Sequence, residues 1–232
     1  MESLEVLANN IANTSTGGFK ADREFYSLYV APELEADSNG TTNGTLPVVE
    51  QQWTDFAQGS LLPTGNQYDV ALNGAGFVAV NSPNGPLYTR NGNFKLSDSG
   101  QLVTGDGYAV RLSGGQTLQI RTNDPVEIQK DGTITQSGQP LGQLDVVDFD
   151  DHSVLTKQGS SYFRSTDAKL QPKPARNTQV EQGKLEGSNS SAAESSIRLV
   201  GLMRQFEMLQ KVAMIDNDMS KKTIEEVARV GS

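Results

Sequence analysis

The sequence predicts a mainly β fold with a long terminal helix: an antiparallel β-rich body of hairpins and meanders, able to close into a barrel-like shape, flanked by N- and C-terminal α-helices that pair. Three observations predict it. Apolar residues fall at helical spacing near both ends of the chain. Between those ends, apolar runs of strand length alternate with Gly and Asx turn signals. The 23 Gly and 9 Pro, with only 6% aromatic residues, imply many turns, which suits short strands better than a helical bundle.

At the start, Leu4, Leu7 and Ile11 stand at i, i+3 and i+7 with Val6 and Ala8 alongside, so an amphipathic helix fits residues 2 to 12. Asn13-Thr14-Ser15-Thr16-Gly17-Gly18 ends it, because small polar side chains compete for backbone hydrogen bonds and glycine permits positive φ. Residues 1–31 are therefore assigned to a helical assembly segment and turn. Residues 32–47, bounded by Pro32 and Pro47 and nearly devoid of apolar side chains, read as an exposed loop.

The β-rich body is placed at 48–165. Its strand-length runs are Phe77 to Val80, Leu87 to Arg90, Gln101 to Thr104, Tyr108 to Leu112 and Thr117 to Ile120, then Thr133 to Gln136, Leu141 to Phe149 and Ser161 to Arg164. Asn84-Gly85, Asn91-Gly92, Ser99-Gly100, Asp106-Gly107, Ser113-Gly114-Gly115 and Asp131-Gly132 separate them, and such pairs suit hairpin turns in an antiparallel meander. Pro172, Pro174, Gly183 and Gly187 mark an extended return over 166–189.

From residue 190 to the end, helical spacing resumes. Leu199, Leu202, Phe206, Leu209 and Ala213 follow alternating steps of three and four, as a coiled-coil seam does, and Val200, Met203, Val212, Ile215 and Met219 widen it. Ser188-Asn189-Ser190-Ser191 offers N-caps, and Glu194 puts acidic charge near the positive end of the helix dipole. A helix over 190–232 reaches about 60 Å at roughly 1.5 Å per residue. That exceeds the width of a small β-domain, so its apolar stripe needs the N-terminal stripe or another subunit to cover it. An ordinary helix hairpin within one chain is the plain alternative.

Charge and composition exclude several functions. A net charge of −9 with no Lys/Arg cluster argues against nucleic acid and anionic lipid as partners. With no Cys there are neither disulfides nor thiolate chemistry. The N-terminus lacks the basic start and apolar run of a cleavable signal, and no stretch approaches the ~18 apolar residues of a membrane span. His152, the single histidine, follows Asp148, Asp150 and Asp151, but a solvated strand end explains the group better than a metal or acid/base cluster. Gly74-Ala75-Gly76 precedes a strand instead of opening a helix, which makes it a turn and not a phosphate loop. No catalytic residue, metal site or cofactor is expected.

The block Leu7-Ala8-Asn9-Asn10-Ile11-Ala12-Asn13-Thr14-Ser15-Thr16-Gly17-Gly18-Phe19-Lys20 resembles the signature near the start of bacterial flagellar rod and hook proteins. Gly59-Ser60-Leu61, Thr64-Gly65-Asn66, Asp69 to Leu72, Gly76-Phe77, Tyr88 to Phe94 and Gly100 to Thr104 with Asp106-Gly107-Tyr108 resemble the central motifs of that family. Gly183 to Asn189 and Arg204-Gln205-Phe206-Glu207-Met208 continue the likeness in order. With Lys211, the last block is more similar to proximal rod members than to distal rod or hook members. Members of the family carry more helix ahead of the first block, which makes a truncated start an expectation, and more apolar residues in place of Ser190 to Glu194.

The resemblance implies a structural subunit of the basal-body rod, a periplasm-spanning axis that transmits torque for motility. It implies export through the flagellar type III apparatus without signal cleavage. Partners would be copies of the chain, other rod and hook proteins and the export apparatus, with an assembly motif of Leu4, Leu7, Asn9, Asn10, Ile11 and Asn13 meeting the seam from Leu199 to Ala213. A distal rod or hook protein is the alternative within the family. Outside it stand a secreted β-rich adhesin or carbohydrate-binding module that uses its hairpin loops, and a metal-assisted hydrolase resting on Asp148 to His152 alone.

Overall fold

The computed structural model describes residues 2–30, 45–121, 124–166 and 171–230, and most of the loop expected at 32–47 lies outside them. Helix α1 spans Glu2–Ala12, the range its apolar spacing predicts. Strands follow at Asp22–Val30 (β1), Thr45–Thr54 (β2), Leu61–Pro63 (β3), Val70–Asn73 (β4), Phe77–Ser82 (β5) and Gly85–Thr89 (β6). Next come Phe94–Leu96 (β7), Leu102–Thr104 (β8), Ala109–Val110 (β9), Val126–Ile128 (β10), Thr133–Gln136 (β11) and Gln139–Gln143 (β12). Val146–Asp148 (β13), Leu155–Gln158 (β14), Tyr162–Ser165 (β15), Lys173–Pro174 (β16), Gln179–Gln182 (β17) and Lys184–Glu186 (β18) complete the strands, and α2 runs from Ala192 to Val230.

The largest sheet has the order β14-β15-β6-β5-β9-β8-β7, with β13 joined to β5 and β16 to β13. Strands β10 to β12 form a separate sheet, and β17 with β4, β18 with β3 and β1 with β2 form two-stranded ribbons. All pairings are antiparallel. The expected barrel-like closure is not found. A barrel needs its first and last strands to bond to each other, whereas β14 and β7 remain at opposite ends of this sheet. Strands of two or three residues at β7 to β9 provide too few ladder bonds to carry the sheet round. The meander is interrupted too, because β9 lies beside β5 instead of continuing away from it.

Strand alternation divides the core between the two faces of this sheet. Val78, Val80, Leu87 and Tyr162 join the larger cluster, with Leu72 of β4, Ile128 and Ile134 of the three-stranded sheet and Val180 of β17. Phe77, Ala79, Tyr88 and Phe163, the neighbours of those residues in sequence, join Val147, Phe149 and Leu155 on the other face. Pro83-Asn84 makes the tight turn between β5 and β6, and Gly85 opens β6 opposite Ser82 at φ 107°, a backbone geometry that glycine alone adopts readily.

Candidate functional site

Four of the blocks that carry the resemblance, the first one with Gly59-Ser60-Leu61, Tyr88 to Phe94 and Gly183 to Asn189, come from distant parts of the chain and meet in one joint, where both terminal segments are fastened to the body. At its centre, Glu186 at the end of β18 is 1% exposed and Lys20 is fully buried. Lys20 Nζ donates to Glu186 Oε1 at 2.6 Å and to the Ala57 carbonyl at 2.7 Å. The Gly59 amide donates to the same carboxylate oxygen at 2.9 Å, and Arg90 Nη1 donates to Oε2 at 3.1 Å. Arg90 also donates through Nη2 to the Gly74 carbonyl at 2.7 Å, and its guanidinium sits 5.5 Å from the Phe77 ring centre. Burial holds the Lys20 ammonium below its ordinary 10.5, against the opposing pull of Glu186.

Around this triad the backbones approach closely. The Gly18 amide donates to the Glu186 carbonyl at 2.7 Å and the Asn189 amide to the Phe19 carbonyl at 3.2 Å, so residues 18–21 and 186–189 run side by side in the same sense. A Cβ at Gly18, where φ is 65°, would stand 2.3 Å from the Arg90 carbonyl carbon, and one at Gly59 would stand 2.1 Å from the Gly187 oxygen. Those two glycines permit chain-to-chain contact that any side chain would block.

Two carboxamides fix the helices to this joint. Asn10 of α1, which is buried, accepts from the Asp22 amide at 3.0 Å and donates to the Asp22 carbonyl at 2.8 Å. Asn189, just ahead of α2, accepts from the Ala21 amide at 2.7 Å and donates to the carbonyls of Asp55 at 2.6 Å and Ala57 at 3.1 Å. Asp22 binds further: its carboxylate accepts from Thr54 Oγ1 at 2.7 Å and from Lys157 Nζ at 2.6 Å, and that ammonium lies 4.4 Å from the Phe19 ring centre.

Of the assembly motif expected near the N-terminus, Leu7 is buried, Leu4 and Ile11 are half-buried, and Asn9 is exposed. Asn13 closes the helix: its amide and side chain both donate to the Asn9 carbonyl, and its Oδ1 accepts from Thr16 Oγ1. Of the seam residues, Leu199 and Leu202 are half-buried and Phe206 is 55% exposed. The side chains of Leu209 and Ala213 lie outside the described part of the structure. Leu7 and Asn10 share a cleft of about 40 Å³ with Glu194, Ser195 and Arg198 of α2, so α1 sits at the root of that helix. Lys20, Arg90, Glu186 and Asn189 were not singled out as site residues from the sequence; their motif blocks were the signal that could have found them.

His152 lies in a 3-10 turn over His152–Val154. Its Nε2 is 2.9 Å from Asp148 Oδ1, and its ring packs at 5.0 Å from Phe56 and 5.8 Å from Phe77. This is a packed edge of the smaller core cluster. Among the described residues no group of three His, Asp or Glu gathers as metal ligands, and no helix is long and apolar enough to cross a membrane.

Residues 71–136 match the family model of the flagellar hook protein FlgE/F/G D1 domain, and residues 181–226 match that of the flagellar basal body rod FlgEFG protein C-terminal region. The flagellar basal-body rod protein FlgF of Caulobacter vibrioides is 35% identical over 234 residues, covering 98% of this chain and 92% of the relative. The rod protein FlgG of Buchnera aphidicola from Schizaphis graminum is 33% identical, and that of Bacillus subtilis 29%, each over 95% of this chain and 92% of the relative. With identity of this order along nearly its whole length, the chain belongs to the flagellar basal-body rod protein family.

Proposed function

We propose that the chain is a subunit of the proximal part of the rod and polymerises through its terminal helices. In this reading α1 and α2 pair with each other and with those of neighbouring copies into an inner layer, residues 1–31 and 190–232 serve as assembly segments, and the body at 48–165 forms an outer layer. Proteins of this family are structural, and the chain is a rod subunit and not an enzyme. The finer position rests on the block Arg204 to Met208 with Lys211. Copies of itself, other rod and hook proteins and the flagellar export apparatus are its partners, and the basal body is its place.

One observation carries the polymerisation reading: many apolar side chains of α2 stand uncovered in the single chain. Ile197, Val200, Met203, Phe206, Val212 and Ile215 are 49 to 74% exposed. A helix of 39 residues is stabilised in water mainly by packing of such a stripe, and contiguous exposed apolar surface marks an interface.

Leu202→Asp tests it by placing a charge in the seam. The body stays folded by circular dichroism, while incorporation into basal bodies and swimming are abolished. Normal motility in that strain would refute the seam. The proximal position is tested separately, by isolating basal bodies from cells that lack the chain. These should be without the distal rod and hook, and a completed distal rod would overturn the position but not the rod role.

A further inference from the structure

The dipeptide Ala21-Asp22 is held from both ends of the chain. Its four backbone polar atoms are all engaged: the Ala21 amide by Asn189 Oδ1 and the Ala21 carbonyl by the Asp55 amide at 2.8 Å, the Asp22 amide by Asn10 Oδ1 and the Asp22 carbonyl by Asn10 Nδ2. Asn10 belongs to α1 and Asn189 lies three residues ahead of α2, so one residue of the adjacent pair is gripped by a terminal helix and the other by the segment that leads into the second helix. Lys20, the residue before that pair, is bonded to Glu186, three residues before Asn189, which keeps the gripped pair aligned with the segment that carries Asn189.

We infer that Ala21-Asp22 couples the two terminal helices, so that seating either helix on a neighbouring subunit tightens the attachment of the other. The physical basis is shared order. Each carboxamide grip requires the dipeptide to be fixed in one conformation, and fixing a backbone has an entropic cost. Once one helix has imposed that order, the second grip forms against a backbone already in place, which is positive coupling without a change of shape. Coupling of this kind is reciprocal: whatever factor α1 confers on α2, α2 confers on α1. The proposal rests on the terminal helices being the assembly elements. The coupling itself is a property of the single chain and can be measured there.

The test is amide hydrogen exchange on the full-length monomer, read by nuclear magnetic resonance. The Asn13 amide, bonded to the Asn9 carbonyl, reports on α1, and the Ser195 amide, bonded to the Ser191 carbonyl, reports on α2. Asn189→Ala should speed exchange at Asn13, and Asn10→Ala should speed exchange at Ser195. Both changes should be roughly fivefold, the scale of one net hydrogen bond, and equal to each other within error. Amides of Val80 and Leu87 in the β5-β6 ladder should keep their rates. If each substitution speeds only its own helix, the coupling is refuted. If the body amides accelerate in step with the helices, the effect is general loosening and the coupling is equally refuted. Neither result touches polymerisation, which the Leu202→Asp strain decides on its own.

Discussion

Replacing Glu186 with Ala removes the single anion of a buried triad. The carboxylate is 1% exposed and receives Lys20 at 2.6 Å, Gly59 at 2.9 Å and Arg90 at 3.1 Å. Without it, two buried cations lose their counter-ion, keeping only the carbonyls of Ala57 and Gly74, and one amide loses its acceptor. Breaking a buried ion pair by deleting one partner costs about 3 to 5 kcal/mol, and an orphaned amide about 1 kcal/mol or more. Both losses belong to one side chain and overlap, so about 4 kcal/mol is expected for the whole substitution. In a chain of this size each kcal/mol is worth roughly 2 to 4 °C, which places the loss in melting temperature near 8 to 16 °C. Glu186→Gln keeps an acceptor oxygen and drops the charge, so it should lose about half as much. Lys20→Met, Arg90→Met and Glu186→Leu together should recover much of the loss, because an apolar replacement of a whole buried ionic group is often neutral. Thermal melts and urea midpoints by circular dichroism measure all three. A change below about 1 kcal/mol for Glu186→Ala, or a triple variant less stable than the single one, would refute the reasoning from buried charge.

Two further outcomes follow from other parts of the molecule. Gly92→Ala would place a Cβ 1.7 Å from the Val70 carbonyl oxygen, whereas a Cβ at Gly105 meets nothing within 4 Å. The first should cost about 3 kcal/mol or more and the second should stay within about 0.5 kcal/mol, both by urea unfolding. Burial, reinforced by the hydrogen bond to Asp106, raises the Tyr162 phenol above its ordinary 10.0. Above that pH the unfolded chain releases this proton while the folded chain retains it, so stability falls as pH rises. Tyr162→Phe should therefore flatten the decline of the urea midpoint above pH 10, and an unchanged slope would count against the assignment.

Local rules reached the helices and several turns. Leu4, Leu7 and Ile11 mark the buried face of α1 because a helix writes that face at short range, and Asn84-Gly85 marks the β5-β6 hairpin to within one residue, its Asn in the turn and its Gly opening β6. Asn91-Gly92 read as another hairpin turn, yet Gly92 is there for its approach to Val70, a contact no local pattern announces. Strand β1 falls within the segment assigned to a helical assembly element and turn, although Phe25, Tyr26, Tyr29 and Val30 are residues that favour strands; its partner β2 lies across residues 31–44, so its pairing is not written locally. The joint was legible only as family motifs. Lys20 and Glu186 stand 166 positions apart, and Arg90 and Glu186 stand 96 apart, so nothing in the sequence near any of them shows that their charges will share one site. Asn10 was singled out for its place in a motif, but its grip on Asp22 depends on the chain reversing between them.

The pairing of residues 18–21 with 186–189 makes the chain between them resemble the loop of a closed stem. The body reaches into that stem and the adjoining Asp22 through a few stations: Thr54 to Ser60, Gly74, Arg90 and Lys157. The turns at Gly105 and at Gly114-Gly115 are not among them, and a Cβ at any of these glycines meets open space. Foreign peptides could be grafted at such turns for display along a filament while the stem holds the chain ends, and natural variation in body size would have the same freedom.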